Sequence, residues 1–115
     1  RYYLFALPGK VFDVNDRVCR APYPNVYENG RICWGSHKVP VVTPLNIRQT
    51  WQFFFATTFN AHIASGKTRR HSENALDLLR ELSAARKKSF PARELIQQAT
   101  SVNACIDNLL KRAED

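Results

Sequence analysis

Cys33 is the side chain whose setting in this sequence best suits chemistry, because it stands on a short segment just after the turn signal Asn29-Gly30. Asn25 lies eight residues before it. A chain that folds back at Asn29-Gly30 would bring the Asn25 carboxamide near the Cys33 sulfur. A thiol beside an amide donor suits acyl transfer, since attack on a thioester carbonyl forms an oxyanion that the donor can stabilise. Pro22 and Pro24 favour an extended entry into this segment.

Both residues also have a purely structural interpretation. Cys33 can be a buried thiol, the commonest state of a free cysteine, and Asn25 can stabilise its loop as an Asx residue. Cys19, in a strand-like run, and Cys105, on a predicted helix, are interpreted as buried thiols. With three cysteines and no C-x-x-C pair, the sequence supports no full disulfide framework and suits a reducing cytoplasm.

The same segment resembles the active-site segment of ubiquitin-conjugating enzymes. Those enzymes have His-Pro-Asn and, further on, Gly, a variable residue, Ile and the catalytic Cys. Here Tyr23-Pro24-Asn25 and Gly30-Arg31-Ile32-Cys33 stand in register, with the same separation of eight residues between Asn and Cys. Together with Trp34-Gly35, Arg70-His71 and Phe90-Pro91, these motifs make the chain similar to prokaryotic ubiquitin-conjugating-like family D. This bacterial branch belongs to the PRTRC system, a plasmid-borne cassette with ParB-related and ThiF-related proteins.

The resemblance implies an α+β, ubiquitin-conjugating-enzyme-like (UBC-like) fold, with antiparallel strands and a catalytic loop followed by about three helices. It implies that Cys33 accepts a ubiquitin-like protein as a thioester from a ThiF-like adenylating enzyme, before an amine attacks. Asn25 would stabilise the oxyanion, and Tyr23, Pro24 and Gly30 would support the catalytic loop. The resemblance implies no metal or other cofactor on this subunit, and a cytoplasmic location.

Two positions depart from the family's pattern. Tyr23 replaces the motif histidine, whose implied role is to shape the loop. Gly35 stands where many eukaryotic ubiquitin-conjugating enzymes carry an acidic residue near the cysteine, so the activation of the incoming amine has no assigned group. Asp13, Asp16 and Glu28 are the candidate acids.

Residues 1–115 are expected to form one domain, with a strand and catalytic-loop part over 1–42 and a helical part over 43–115. Strands that precede helices argue for an α+β layer arrangement. The chain contains no methionine and starts in a strand-like run at Arg1. We therefore expect that the family's leading helix and first strands are missing from this sequence.

Three helical patterns follow Val42. Thr43 can cap the first helix, which has Pro44 at its first position. The apolar face of this helix comprises Ile47, Trp51, Phe54, Phe55 and Phe59. Phe53 falls off that face and is a candidate partner contact. The second pattern runs from a Ser72 cap to about Arg86 with Leu76, Leu79 and Leu82 inward. The third opens at Ser89-Phe90-Pro91 and reaches Leu110, with an interruption expected at Thr100-Ser101; 61–71 is expected to be an exposed connection.

Seventeen Lys and Arg against ten Asp and Glu give a net charge of +7, which raises the question of nucleic acid as a partner. Lys67, Arg69 and Arg70 are candidate phosphate or partner contacts, although their alternative interpretation, as for 86–88, is solvated surface. No recognition-helix pattern or interleaved aromatics accompany them. A second hypothesis is therefore a catalytically idle basic adaptor within the cassette.

Other kinds of site are excluded by spacing. No two of the possible metal ligands have the close sequence spacing of a zinc-finger pair; these ligands are Cys33, His37, His62 and His71. Gly66-Lys67-Thr68 imitates the end of a phosphate-binding loop, but Ala61 stands where its first glycine is needed. The sequence also lacks the run of roughly 20 apolar residues that a membrane span requires.

Overall fold

The computed structural model describes residues 2–10, 12–35, 37–39, 41, 43–56 and 63–114. In this part of the chain, three strands form one antiparallel sheet, accompanied by three α-helices. The strands are β1 (Phe5–Ala6), β2 (Arg17–Arg20) and β3 (Gln97–Ser101). The helices are α1 (Ile47–Ala56), α2 (Ala75–Ala84) and α3 (Val102–Glu114), and a short 3-10 helix spans Ala92–Glu94. The predicted α+β class is confirmed.

The sheet has the order β1-β2-β3, with β2 in the centre. β1 pairs with β2 through Phe5 opposite Arg20, and β2 pairs with β3 through Cys19 opposite Gln97. β3 lies in the stretch predicted as the third helix, so that prediction was wrong over residues 89–101. The helical spacing of Leu95, Ile96 and Ala99 was outweighed by pairing with the free edge of β2. The regular helix begins only at Val102.

The first turn before α1 is capped as predicted. The Asn46 N–H donates to Thr43 Oγ1 at 3.3 Å, and the Thr43 N–H donates to Asn46 Oδ1 at 2.7 Å. This reciprocal pair is a capping box with Asn in place of Glu, and it satisfies donors that the helix itself leaves free. Regular helical geometry begins at Ile47.

The buried face of α1 differs from the predicted one. Phe54 is fully buried as expected, whereas Phe55 is 58% exposed. Phe53, predicted off the apolar face, stacks on Trp34 within the chain, with ring centroids 5.6 Å apart. The reason is that α1 packs against the loop that carries Trp34, a contact that helical spacing alone does not encode. Phe59 lies outside the described residues.

Helix α2 starts later than predicted. Asn74, not Ser72, is its N-cap, since Asn74 Oδ1 accepts the Leu76 N–H at 3.0 Å. The helix buries Leu78 completely, while the three leucines expected to point inward, Leu76, Leu79 and Leu82, are half-buried. Ser and Asn have similar N-cap preferences, so residue type alone does not favour Ser72 over Asn74.

The predicted exposed connection before α2 is partly buried. Lys67 is 4% exposed and Thr68 is fully buried, because Thr68 bridges to Leu95 and the Arg69 N–H donates to the Glu94 carbonyl at 3.0 Å. The prediction of a wholly exposed segment was therefore wrong for residues 64, 67 and 68. Ala61 and His62 lie outside the described residues.

Two clusters of buried side chains form the core. The first joins Ala21, Val26, Ile32 and Phe54, and the second joins Val18, Val102 and Cys105. The first cluster lies under the segment with the candidate nucleophile, and the second lies between the sheet and α3. No helix among the described residues has the length and apolar character to cross a membrane.

The fold makes a prediction at Gly30, which adopts a positive φ of 89° and whose carbonyl accepts the Leu4 N–H at 2.8 Å. A Cβ at Gly30 would overlap the Phe5 ring, whereas a Cβ at Gly35, with φ 62°, would meet no atom within 4 Å. Gly30→Ala should therefore cost about 2–4 kcal/mol of unfolding free energy from backbone strain plus overpacking. Gly35→Ala should cost only about 1–2 kcal/mol from strain.

Urea unfolding of both variants checks this difference. Adding Phe5→Leu to Gly30→Ala should recover part of the loss, since it removes the overlapping ring. Equal destabilisation by the two single variants would contradict the proposed contact between position 30 and β1.

Candidate active site

The predicted turn at Asn29-Gly30 is present. The Tyr27 carbonyl accepts the Gly30 N–H at 2.9 Å and closes the turn. Asn29 Oδ1 accepts the Arg31 N–H at 3.0 Å, which makes Asn29 the Asx residue of this loop. The chain therefore folds back on itself between Asn25 and Cys33.

The hairpin register places Asn25 directly opposite Cys33. Val26 bridges to Ile32, and the Cys33 N–H donates to the Asn25 carbonyl at 2.8 Å. Directly opposite residues in an antiparallel pair point to the same face, with Cβ atoms about 4.5–5.5 Å apart. Val26 and Ile32 are buried in the core at 0% and 4% exposure, whereas Asn25 and Cys33 are half-buried. The backbone pairing thus places Asn25 next to Cys33 across the hairpin.

The Asn25 carboxamide has no local structural partner. Its Oδ1 is buried and accepts no hydrogen bond from the described residues. An Asx residue would use this oxygen to accept a nearby backbone N–H, as Asn29 does in the same hairpin. The loop-stabilising interpretation of Asn25 is therefore not supported, and a buried polar atom without a partner needs another explanation.

The three cysteines differ in access. Cys19 and Cys105 are buried, and burial raises the pKa of both thiols. Cys33 is half-buried and borders a surface groove of about 440 Å³. The groove is lined by Tyr2, Tyr27, Arg31, Ile32, Cys33, Trp34, Gly35 and Val39. The predicted burial of Cys19 and Cys105 is confirmed, and Cys33 is the cysteine that lines this groove.

Tyr23 and Pro24 attach the loop to α1. The Tyr23 ring meets the rings of Phe54 and Phe55 edge-on, with centroids 5.8 and 5.9 Å away. Burial raises the pKa of Tyr23. Pro24 is fully buried, and the Val26 N–H donates to the Tyr23 carbonyl at 3.4 Å. Tyr23 thus supports the loop by packing, in the position where the motif histidine stands in the family.

The candidate acids do not line the groove. Asp13 Oδ1 accepts the Asn15 N–H in the turn before β2, and the Asp16 carbonyl accepts the N–H of Val102. Both aspartates precede β2, whereas Asn25 follows it. Glu28 is in an ion pair with Arg20. None of the described residues that line the groove is acidic.

The three candidate phosphate contacts are each buried or bonded within the fold. Lys67 is buried, and burial lowers its pKa, as does the nearby charge of Arg20. Arg70 pairs with Glu81 at 2.9 Å and with the buried Glu94 at 3.0 Å. Arg69 donates through Nε to the Leu95 carbonyl at 3.3 Å. Phosphate binding by these residues stays a prediction. The other basic run, 86–88, is exposed.

No group of three or more His, Cys, Asp or Glu side chains within the described ranges is arranged to hold a metal ion. The histidines have other contacts there. His37 packs edge-on against Phe53, with centroids 5.5 Å apart, and His71 Nε2 lies 2.8 Å from Glu81 Oε2. His62 lies outside the described residues.

Sequence reasoning missed two residues of the groove, Tyr27 and Arg31. The Tyr27 N–H donates to the Arg31 carbonyl at 2.8 Å, and the Arg31 guanidinium lies 5.1 Å from the centre of the Tyr27 ring. The signal was available: a turn at Asn29-Gly30 that sets Asn25 opposite Cys33 also sets Tyr27 opposite Arg31, on the same face.

One comparison with known proteins identifies a family. Residues 1–98 match the sequence model of prokaryotic E2 family D, where E2 denotes the ubiquitin-conjugating class. The match includes the whole hairpin and α1. No curated protein and no solved structure matches the chain.

The Arg70 network gives a pH-dependent prediction. Burial acts to raise the pKa of Glu94, but hydrogen bonds from the backbone N–H and the guanidinium of Arg70 outweigh it, so this pKa lies below its ordinary value. The ionised carboxylate therefore stabilises the fold above the unfolded pKa of about 4.3, and this contribution is lost as the pH falls through the folded-state pKa. Glu94→Gln should cost about 2 kcal/mol at pH 7.

Urea unfolding at pH 7 and at pH 3 measures this cost. The difference between the native chain and Glu94→Gln should shrink at pH 3, because this pH lies below the unfolded pKa of about 4.3, where the unfolded chain is favoured by binding a proton at Glu94. Glu81→Gln is the matched control on the exposed side of Arg70, and its effect should be smaller. A difference for Glu94→Gln that is the same at both pH values would contradict the role of the ionised carboxylate.

Proposed function

Because this chain belongs to prokaryotic E2 family D, we propose that it carries a ubiquitin-like protein as a thioester on Cys33 and passes it to an amine. The family supports a ubiquitin-conjugating-like role. The finer proposal is that the chain is protein B of a PRTRC cassette, charged by the ThiF-like adenylating enzyme of the same cassette. Cys33 and Asn25 are its proposed catalytic residues.

The proposed reaction has two steps. In the first, the Cys33 thiolate attacks the thioester carbonyl of the charged adenylating enzyme. A new C–S bond forms, the old C–S bond breaks, and the enzyme's thiolate leaves. In the second, a neutral amine attacks the Cys33 thioester; a C–N bond forms, the Cys33 thiolate leaves, and the amine's extra proton passes to a base. Each step goes through a tetrahedral oxyanion, which a carboxamide N–H can stabilise.

The observation that carries this proposal is the pairing across the hairpin. Cys33 is half-buried and borders a groove, and Asn25 is opposite it with a carboxamide that caps no backbone group of the described chain. In the proposed role an amide N–H of Asn25 donates to the oxyanion, while its Oδ1 stays buried. Preorganised donors of this kind are most effective where water is largely excluded.

The hypothesis of an idle basic adaptor has weaker support. Lys67 is buried, Arg70 is held by two carboxylates and Arg69 donates to the Leu95 carbonyl, so all three candidate phosphate contacts are buried or bonded within the fold. An adaptor of this kind would bind DNA in a salt-sensitive manner. DNA binding that disappears when the exposed Arg69 is neutralised would favour the adaptor hypothesis over the thioester-carrier hypothesis.

The thiol assignment predicts a reactivity order. Cys33 should react with iodoacetamide at least about ten-fold faster than Cys19 and Cys105, because buried thiols with raised pKa values are inert. Peptide mapping of the folded protein by mass spectrometry measures the three rates. An equal or slower rate at Cys33 would contradict a nucleophilic role.

With the adenylating enzyme, the ubiquitin-like protein and ATP, the native chain should form an adduct that a thiol reductant removes. Cys33→Ala should form none, while Cys105→Ala, the matched control, should form it normally. A reducible adduct on Cys33→Ala would rule out Cys33 as the acceptor.

The Asn25 assignment predicts a loss of rate without a loss of fold. Asn25→Ala should slow transfer from the Cys33 thioester to an amine by about 10²–10³-fold, the usual cost of an oxyanion donor. Its stability should not fall, because the variant loses no hydrogen bond of Oδ1 with the described residues and removes a buried oxygen that has no partner there. Single-turnover discharge and urea unfolding measure the two effects.

Asn29→Ala is the control on the same hairpin. It removes the cap on the Arg31 N–H and should cost about 1 kcal/mol of stability, with the transfer rate kept. A stability loss in Asn25→Ala as large as that in Asn29→Ala, with normal transfer, would establish Asn25 as a loop residue.

A further inference from the structure

Arg31 shares the exposed face of the hairpin with Cys33. The two are separated by Ile32, which is buried at 4% exposure, while Arg31 is exposed and Cys33 is half-buried. This alternation is typical of an extended strand, in which residues two positions apart lie on the same face with their Cα atoms about 7 Å apart. The Arg31 side chain is therefore within reach of whatever is attached to the Cys33 sulfur.

Tyr27 holds the Arg31 guanidinium in place. The guanidinium carbon lies 5.1 Å from the Tyr27 ring centroid, and the two backbones are joined by the Tyr27 N–H donating to the Arg31 carbonyl at 2.8 Å. The aromatic ring attracts the cation and restricts the conformations of the arginine side chain, so less conformational entropy is lost when a ligand binds. Arg31 is thus a positioned charge rather than a free surface arginine.

The charge of Arg31 is not neutralised by the described part of the chain. The ion pairs there use Arg20, Arg70, His71, Arg80 and Arg93. The other described residues that line the groove carry no charged side chain. The groove beside the nucleophile therefore presents one fixed positive charge without an internal counter-ion.

We propose that Arg31 selects the transferred protein by binding an acidic side chain close to its C-terminus. This inference rests on the proposed thioester on Cys33. An extended chain advances about 3.3 Å per residue, so a carboxylate two to four residues before the terminal residue reaches the Arg31 guanidinium while the terminal carbonyl is on Cys33. The complementary charge steers this tail into the groove before the thiol attacks.

Synthetic peptides test this proposal without the natural donor. Hexapeptides ending in glycine, made as thioesters of mercaptoethanesulfonate, acylate a thiol by forming a new C–S bond and releasing mercaptoethanesulfonate. One series carries Glu at the second, third or fourth residue before the terminal glycine, and a matched series carries Gln there. Intact-mass measurement at low salt gives the rate at which each peptide is attached to Cys33.

The native chain should prefer the best Glu peptide over its Gln counterpart by about two- to five-fold, the range expected for an exposed ion pair. The preference should vanish in Arg31→Gln, reverse in Arg31→Glu, and weaken as salt screens the charges. Arg112→Gln, which removes an equal charge from exposed α3, should keep the native preference and controls for net charge. Urea unfolding confirms that the Arg31 variants are folded.

Two failures are distinguishable. If all peptides acylate Cys33 at equal rates in the native chain, the selection by Arg31 is overturned and the carrier proposal stands. If no peptide thioester acylates Cys33 while a simple alkylating agent does, the carrier proposal itself is overturned, and the Arg31 proposal with it. A Glu preference that persists in Arg31→Gln would assign the selection to another cation.

Discussion

The hydrogen bond from the Cys33 N–H to the Asn25 carbonyl fixes the hairpin register, and the rest of the site depends on that register. Side chains alternate along an extended strand, so a slip of one residue would move every side chain of the shifted strand to the opposite face. Val26 or Ile32 would then leave the core, and a shift of the second strand would turn Cys33 into it. The register that buries those two aliphatic residues therefore also sets the face on which the Cys33 thiol lies.

The hairpin is held from several directions. The Phe5 ring of β1 packs over Gly30 at the turn, and Tyr23 and Trp34 pack on the aromatic face of α1. Arg20 adds a third attachment, because it donates to the Gly66 carbonyl at 2.9 Å and pairs with Glu28 within the turn. The segment with the buried Lys67 is thereby tied to the same loop. The basic residues that suggested an external phosphate partner thus serve in part to join the loops of the fold.

The local features were predictable and the long-range ones were not. The Asn29-Gly30 turn, the Thr43 cap and the burial of Cys19 follow from residue types and short spacings, where local chemistry decides. The strand β3 and the exposure of Phe55 depend on which elements meet in space. The spacing of apolar residues over 95–110 favours a helix when only the local sequence is considered. The first part of this stretch is a strand because it pairs with the open edge of β2. The site was predictable to the extent that it is local: a nine-residue hairpin over residues 25–33 places Asn25 opposite Cys33 without reference to the rest of the chain.

The Asn25 side chain is where fold and function separate most clearly. The backbone carbonyl of Asn25 serves the fold, because it accepts the bond that sets the register. Its carboxamide serves no bond of the described chain, and a buried oxygen without a partner costs about 1–3 kcal/mol. An apolar side chain of similar volume would avoid that cost and leave the register intact. A polar group retained at such a cost is typical of functional sites, where stability is given up for chemistry. Here the residue lies across the hairpin from Cys33, the cysteine that lines the groove.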